Sequence, residues 1–251
     1  MLVMSERISD HLPKTEKYSP KQRLWYIRAK EVIISSGSIE RPLVFGNNDT
    51  PGVMLSSAAK EYLKIYGVLV GKKPLVFTNN DSGYETAIEF KKNGIDPVVL
   101  DTRKDPNSEI IKEAKDLNIN IKFSYVVVAA IGYKKVKSAD IAKISEDKKI
   151  LSSIENIKCD CICVSGFWTP TIHLASQSGN KTKFNEEIDA FIPSQSKQKE
   201  TTLGSANGIF TLEETLKTSF EKGNELSKQI TNKENKVSVP AVIEKKSSNH
   251  D

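Results

Sequence analysis

Residues 73–101 read KPLVFTNNDSGYETAIEFKKNGIDPVVLD. The segments Lys73–Thr78 and Pro97–Asp101 are short apolar runs, typical of strands that are buried on both faces. Between them, Tyr84–Lys92 carries apolar residues at helical spacing, and Asn93-Gly94 is a helix-ending signal. A strand, a turn, a helix and a strand within about 30 residues predict a βαβ unit with a right-handed crossover and a parallel sheet.

The turn after the first of these strands is where a dinucleotide-binding fold carries its G-x-G-x-x-G loop. Here the loop reads TNNDSG, residues 78–83, so that Gly83, the third glycine, is the one that is kept. Thr78 and Asn80 replace the first two glycines and obstruct the close approach of a pyrophosphate to the backbone. Asp101 stands at the position of a ribose-binding carboxylate, and it is either such a ligand or an ordinary aspartate at a strand end.

Further elements alternate along the chain on both sides of this unit. The predicted strands are Arg28–Ser35, Phe123–Ala130, short meander strands between Gly132 and Ile144, and Cys159–Ser165; the predicted helices are Asn107–Leu117 and Thr211–Glu221. Thr211 and Glu214 form a capping box at the start of the last helix. From Gly223 onward the chain is rich in Lys, Asn, Ser and Glu, which predicts a polar linker or a disordered tail. The order of elements predicts the α/β class.

The composition is typical of a globular protein with a charged surface. It is 38% hydrophobic and 27% charged, and no run approaches the roughly 18 apolar residues of a membrane span. The 37 basic and 32 acidic residues are interleaved, so the net charge of +5 indicates a solvated surface rather than a nucleic-acid site. The first residues lack the pattern of a signal peptide. We therefore expect a cytoplasmic protein with neither a nucleic-acid nor a membrane partner.

The cysteines are concentrated in one segment, Cys159-Asp160-Cys161-Ile162-Cys163. Alternate residues of a strand share a face and lie about 6.5 Å apart, near the upper limit for a disulfide. A zinc site would need a fourth ligand and a different spacing. The segment therefore predicts three buried, reduced thiols on one face of a strand, and no metal site.

Four blocks of the sequence resemble, in order and spacing, the α subunit of heterotetrameric sarcosine oxidase. They are RLWYIRAKEVIISSGSIERPLVFGNNDTPGVMLSSA (residues 23–58), KPLVFTNNDSGYETA (73–87), CVSGFWTPTIHLASQSGNK (163–181) and LGSANGIFTLEETL (203–216). The resemblance extends from about Glu6 to Lys222 and concerns the central portion of that family. Its N-terminal G-x-G-x-x-G segment and its C-terminal folate-binding domain have no counterpart here, so we expect a gene fragment, a split subunit or one part of a subunit.

The resemblance implies a definite architecture. It consists of two nucleotide-binding, Rossmann-like lobes of the FAD/NAD-linked reductase type. The first lobe, residues 1–60 and 159–222, is incomplete, and the second lobe, residues 61–158, is inserted between its halves. Residues 223–251 would form the polar or disordered tail.

The resemblance also implies where a dinucleotide would bind. Ile34-Ser35-Ser36-Gly37 is similar to the A-T-G loop of the first lobe, and Leu203–Gly208 is similar to its late A-G-D segment, with Ser205 in place of the aspartate. Ser36, Gly37, Gly204 and Ser205, together with Asp101 of the second lobe, are thus candidate contacts to NAD in a weak or incomplete site. The alternative for both loops is that they are tight glycine turns. Arg41 either reaches a phosphate or helps to turn the chain.

The function that the resemblance implies belongs to a complex. Sarcosine is oxidatively demethylated to glycine, which is chemistry of the EC 1.5.3 type, and the flavins, FAD and FMN, lie mainly on or are shared with the β subunit. This chain would contribute architecture and part of an NAD site, with the β subunit and other small subunits as partners, and no residue is assigned a catalytic role. The alternative is a non-catalytic assembly or binding module that has lost its cofactor loop. A free-standing disulfide reductase would need a C-x-x-C or C-x4-C motif, which the sequence lacks.

Overall fold

The computed structural model describes residues 1–147, 149–151, 153–232 and 237–242. The chain divides into two compact units. The first unit comprises Met1–Ser36, Ile172–Lys183 and Ile192–Pro240, and the second comprises Gly37–Thr171, Phe184–Phe191 and Ala241–Asp251.

The elements are numbered in chain order. The strands are β1 Leu2–Arg7, β2 Gln22–Ile27, β3 Val32–Ile34, β4 Ser38–Glu40, β5 Val53–Leu55, β6 Pro74–Thr78, β7 Val98–Asp101, β8 Asn120–Phe123, β9 Tyr125–Ile131, β10 Ser138–Lys143, β11 Glu155–Lys158, β12 Cys161–Ser165, β13 Trp168–Pro170, β14 Lys181–Asn185, β15 Ala190–Gln195 and β16 Glu200–Thr202. The helices are α1 Ser56–Tyr66, α2 Ser82–Lys92, α3 Glu109–Asp116, α4 His173–Gln177 and α5 Leu212–Thr231, with a 3₁₀ turn at Gly204–Asn207.

The second unit is built on a parallel sheet with the strand order β5-β12-β6-β7-β8. Its side chains alternate between two apolar cores. Val76 packs with α2 and α3 on one side, whereas Leu75 and Phe77 pack on the other side with residues of β9 and β10, such as Val127 and Ile141. A sheet covered on both faces explains why its strands are apolar without interruption. The predicted βαβ unit and the α/β class are thereby confirmed.

One predicted strand is in fact two. The segment from Phe123 to Ala130 was expected to be continuous, but β8 ends at Phe123 and β9 begins at Tyr125. Ser124 between them has φ +59°, in the left-handed region, and its N–H donates to the carbonyl of Arg103. This turn directs the chain from the parallel sheet into the antiparallel β9–β10–β11 sheet.

The cysteines are free and buried, as predicted, but they do not share one face. Cys161 and Cys163 lie on β12 and face the helical core, with their sulfurs 3.6 Å apart. Cys159 precedes the strand and packs in the opposite core. The assumption of a continuous strand from Cys159 onward was wrong, because the strand geometry begins only at Cys161.

The first unit contains the antiparallel β1–β2 hairpin, the parallel β3–β16 pair and helix α5. Helix α5 begins after Thr211, whose hydroxyl accepts the N–H of Glu214 at 3.4 Å, as the capping box predicted. It continues to Thr231, so the prediction of a linker or disordered tail was wrong for residues 223–231. Leu226 is buried, and Glu225 accepts hydrogen bonds from Lys222 and Gln229 within the helix. The remainder of the predicted tail lies largely outside the described residues.

The chain passes from one unit to the other at positions that differ from the expected lobe boundaries. Strand β5, helix α1 and strand β12 belong with the sheet of the second unit, so the transitions fall after Ser36 and after Thr171 rather than after residues 60 and 158. The assignment of the units as nucleotide-binding lobes stays a prediction. Among the described helices, none is long and apolar enough to cross a membrane.

Candidate functional site at the carboxyl ends of the parallel strands

Three polar side chains end neighbouring strands of the parallel sheet. Thr78 ends β6, and in the strand register it is the partner of Asp101 at the end of β7 and of Ser165 at the end of β12. All three residues are fully buried. Ligands of open α/β sheets bind outside the carboxyl ends of the strands, so these three residues lie at the expected position of a site in the second unit.

Asp101 is fully engaged by its own chain. Its Oδ1 accepts the backbone N–H of Arg103 at 2.9 Å and Nε of the same residue at 3.1 Å. Its Oδ2 accepts the Tyr84 hydroxyl at 2.7 Å and Nη2 of Arg103 at 2.9 Å. An ionised carboxylate offers about four lone-pair positions, so these donors satisfy it.

Arg103 links two carboxylates in this cluster. Its Nη2 lies 2.9 Å from Oδ1 of Asp81 as well as 2.9 Å from Asp101, and its side chain is only 8% exposed. Burial disfavours the guanidinium charge, but the hydrogen bonds to Asp101 and the charges of Asp101 and Asp81 outweigh burial and raise the pKa of Arg103. Arg103 therefore stays a cation among buried partners, and a buried ion pair that loses one member is strongly destabilised.

Tyr84 completes the cluster from helix α2. Burial, and then the negative charge of Asp101 and the hydrogen bond to it, raise the pKa of the Tyr84 phenol. The hydroxyl consequently keeps its proton and donates a hydrogen bond to Asp101. Sequence analysis missed the roles of Tyr84, Asp81 and Arg103. The available signal was an arginine two residues after a strand-end aspartate, but only the fold shows that the two side chains meet.

The loop before α2 is closed by contacts among its own residues. The Thr78 hydroxyl accepts the N–H of Asn80 at 3.1 Å and donates to its carbonyl at 2.8 Å. A Cβ added to Gly83 would lie 2.6 Å from Cβ of Thr78, so glycine is required there for close packing of helix and strand. This is the role that sequence analysis gave to the third glycine of the loop.

Asn80 lies just before the N-terminus of α2. Its Oδ1 accepts the N–H of Ser82, the first residue of the helix, at 2.9 Å. Its Nδ2 donates to the carbonyl of Ser165 at 3.1 Å and to Oδ1 of Asn79 at 2.9 Å. The N–H groups at a helix N-terminus are the usual ligands of a pyrophosphate. In this loop, the side chain of Asn80 takes one of them.

The other candidate residues lie at or next to the first unit. Strands β3 and β16 are parallel, and the N–H of Leu203 donates to the carbonyl of Ile34 at 2.9 Å. Ser36 and Gly204 therefore follow the ends of adjacent strands, and Ser205 continues from Gly204 into the 3₁₀ turn. The structure brings these loops of the β3–β16 pair together, whereas Asp101 belongs to the separate parallel sheet.

Both glycine positions have left-handed backbones. Gly37 has φ +74°, and a Cβ added there would meet nothing within 4 Å; Gly204 has φ +66°. Close by in sequence, Thr202 ends β16 with a buried hydroxyl that lacks a hydrogen-bond partner within the described structure. An unsatisfied buried hydroxyl is costly, and a ligand hydroxyl or phosphate would satisfy it.

Arg41 is used within the second unit. Its Nε donates to the carbonyl of Gly166 at 3.1 Å, and its Nη1 donates to the carbonyl of Asp189 at 2.7 Å. These bonds join the turn after β4 to the residues that precede β13 and β15, which agrees with the chain-turning alternative. The preceding residue, Glu40, is a buried carboxylate that sequence analysis missed: it accepts the N–H of Ser57 at 2.8 Å and thereby caps α1.

Comparisons with known proteins agree with this architecture. No protein-family model matches the chain. It is 32% identical over 205 residues to the sarcosine oxidase subunit alpha of Corynebacterium sp. (strain P-1), covering 81% of this chain and 21% of that protein. It is 34% identical over 203 residues to the sarcosine oxidase subunit alpha of Rhizobium meliloti (strain 1021), covering 80% of this chain and 19% of that protein. The predicted resemblance to a portion of this subunit is confirmed, and the chain spans about a fifth of the length of these relatives.

Solved structures show the same type of fold. A thioredoxin reductase from T. acidophilum superposes with a TM-score of 0.55 at 16% identity, covering 72% of this chain and 59% of that one. The thioredoxin reductase from Lactococcus lactis also superposes with a TM-score of 0.55 at 16% identity, covering 76% of this chain and 60% of that one. At these identities the likeness concerns the fold alone, and it confirms the predicted FAD/NAD-linked reductase type.

Proposed function

We propose that this chain is a partial α subunit of a sarcosine oxidase-like amine oxidoreductase, whose complex oxidatively demethylates sarcosine to glycine. The observation that carries the proposal is the sequence identity of 32% and 34% to sarcosine oxidase α subunits over four-fifths of the chain. A fold of the reductase type is consistent with it. In this proposal the chain supplies architecture and part of a nucleotide site.

The proposed NAD contacts are Ser36, Gly37, Gly204 and Ser205. Two features support this part of the proposal: the open space beside Gly37 and the unsatisfied Thr202 hydroxyl at the end of β16. In such a site, backbone N–H groups would hold the dinucleotide, and Thr202 would add one hydroxyl. The second unit fits a dinucleotide less well, because Asn80 and Arg103 fill the corresponding positions.

The proposed partners are a β subunit and further small subunits. A flavin, FAD or FMN, would accept hydride from the amine when bound, and we place the flavins on the β subunit or shared with it. The residues of this chain would position a nucleotide and support the partner, and none is proposed to transfer a proton. A cytoplasmic location remains our expectation for the complex.

The proposal is tested by reconstitution with a sarcosine oxidase β subunit. We expect the purified chain alone to give no sarcosine-dependent peroxide, because the flavin that accepts hydride lies on another subunit. We expect the tagged chain to retain the β subunit on an affinity resin. Peroxide formation by the chain alone, or failure to retain the β subunit, would count against the assignment.

A second candidate is a non-catalytic assembly or binding module. The observation that favours it is the loop of residues 78–83, in which Asn80 and Thr78 satisfy groups that would otherwise bind phosphate. The absorbance spectrum of the reconstituted complex with the β subunit and the mass of any co-purifying molecule separate the two candidates. A dinucleotide bound in this complex favours the oxidoreductase subunit, and a complex that forms without any nucleotide favours the assembly module.

A further inference from the structure

We infer that the second unit contains a dinucleotide site that is closed by the chain itself, with Arg103 in the place of a ribose and Asn80 in the place of a pyrophosphate. This inference concerns other residues than the proposed NAD contacts at Ser36–Gly37 and Gly204–Ser205. It therefore does not depend on whether Ser36 and Gly204 bind NAD.

The first step is the match between Arg103 and a ribose. A ribose bound at a strand-end aspartate donates its hydroxyl groups to the carboxylate. Arg103 delivers two donors to the same carboxylate, Nε at 3.1 Å to Oδ1 and Nη2 at 2.9 Å to Oδ2 of Asp101. Because Asp101 is fully buried and Arg103 nearly so, a ribose can reach the carboxylate only if the guanidinium leaves.

The second step concerns the helix N-terminus. A pyrophosphate would use the first N–H groups of α2, but the N–H of Ser82 is bound to Oδ1 of Asn80 at 2.9 Å. The Asn80 amide is fixed in turn by the carbonyl of Ser165. The two polar parts of a dinucleotide are thus replaced by two side chains, one beyond the end of β6 and one beyond the end of β7.

The third step is electrostatic. Asp81 and Asp101 both pair with the guanidinium of Arg103 at 2.9 Å. Departure of Arg103 would remove the cation that both buried carboxylates share, which costs free energy. The closed state is therefore the stable state of the unmodified chain.

The test begins with Arg103→Ala and guanidinium ion. We expect the melting temperature to fall by about 10 °C, and guanidinium at low millimolar concentration to restore it in a saturable way, since the ion fits the vacated position. The matched control is Arg23→Ala, which removes a half-exposed arginine whose Nη1 lies 3.3 Å from Glu6. The control should show neither the loss nor the rescue.

The site is then identified by competition. In Asn80→Gly/Arg103→Ala, ADP-ribose should abolish the guanidinium rescue and bind at least about tenfold tighter than to the unmodified chain, a change of about 1.4 kcal/mol. Nucleotide binding at the first unit would be equal in both proteins and would leave the rescue unchanged. The failure of this inference is thereby distinguished from the failure of the proposed function.

Several results would overturn the inference. They are a rescue no larger than in the control, no competition by ADP-ribose, or tight NADP binding by the unmodified chain that Arg103→Ala abolishes, since Arg103 would then be a ligand of a 2′-phosphate. If Arg103→Ala does not fold, Asp81→Asn/Arg103→Ala leaves one carboxylate instead of two without the guanidinium and is measured in the same way. Failure of guanidinium to stabilise or refold either variant also counts against the inference.

Discussion

Asp101 is the residue on which the stability of the second unit depends most clearly. We expect Asp101→Ala to lower the free energy of unfolding by about 3–5 kcal/mol, because it leaves the buried Arg103 cation and the Tyr84 hydroxyl without their acceptor. Urea denaturation measures the effect. The control is Asp96→Ala, an 84% exposed carboxylate paired with Lys91, which should change stability little. Equal losses in the two variants would show that the cluster is not stabilising.

The reactivity of the three cysteine thiols provides a second test at single residues. Burial raises the pKa of Cys159 to about 12, and the neighbouring Cys161 thiol and burial raise the pKa of Cys163. Thiolates react and thiols do not, and Cys161 is fully buried between them, so all three cysteines should resist iodoacetamide at pH 8 in the native protein. Mass spectrometry should find three labels only after denaturation. Rapid labelling of the native protein would contradict the buried arrangement.

Single residues also show where sequence reasoning stops. The requirement for Gly83 follows from the spacing of the loop, and the structure gives the reason in its contact with Thr78. The role of Arg103 does not follow from sequence, because a charged side chain two residues after a strand is usually solvated. Its burial depends on Asp81, which the fold brings within 2.9 Å.

At the scale of elements, the packing of α2 on β6 can be tested with two glycines. Gly83→Ala should destabilise the protein by about 1–3 kcal/mol, because the new Cβ would lie 2.6 Å from Thr78. Gly223→Ala, in α5, meets nothing within 4 Å and should stabilise it by about 0.5–1 kcal/mol. Thermal and urea unfolding report both changes.

Coupling to Thr78 confirms the cause of the Gly83 effect. In Thr78→Gly/Gly83→Ala the clash is removed, so the loss should be smaller than the sum of the two single losses. Additive losses would mean that the strand and the helix do not constrain each other at this point.

The elements were predictable to different degrees. Strand β6, helix α2 and strand β7 followed from apolar periodicity and from the Asn93-Gly94 signal, because these are local properties. The length of helix α5 was underestimated because the polar composition of its last turns resembles that of the tail. Lys222, Glu225 and Gln229 nevertheless interact at helical spacing. The break at Ser124 depends on a contact with Arg103 in the loop after β7, which is distant in sequence.

At the scale of the whole molecule, the β1–β2 hairpin exposes apolar side chains to solvent. Val3, Leu24 and Tyr26 are 52%, 55% and 65% exposed and lie on one face of the hairpin. Contiguous apolar surface favours association. We expect the purified chain to associate at micromolar concentration in sedimentation velocity, and Leu24→Lys/Tyr26→Lys to reduce it. Tyr133→Lys, at a 92% exposed tyrosine outside the hairpin, is the control. A monodisperse monomer with sharp cooperative unfolding would contradict this expectation.

The candidate site was predicted only in part, because its arrangement depends on contacts between distant parts of the chain. Sequence resemblance indicated Ser36, Gly37, Gly204 and Ser205, and the structure places the Ser36 and Gly204 loops at the same end of the β3–β16 pair. Whether they bind NAD remains a prediction. That the second unit fills its own loop could not be read from Thr78 and Asn80 alone, because it depends on Ser165 and Arg103 from distant strands and loops.

Calorimetric titration of the chain with NAD decides whether the chain by itself holds a working dinucleotide site. Two or three hydrogen bonds at Ser36–Gly37 and Gly204–Ser205 contribute about 0.5–1.5 kcal/mol each, which does not offset the several kcal/mol lost in immobilising a flexible dinucleotide. With the second unit closed by Asn80 and Arg103, we predict a Kd no tighter than about millimolar. Micromolar binding would contradict this prediction, because it would show that the chain by itself holds an open, working site.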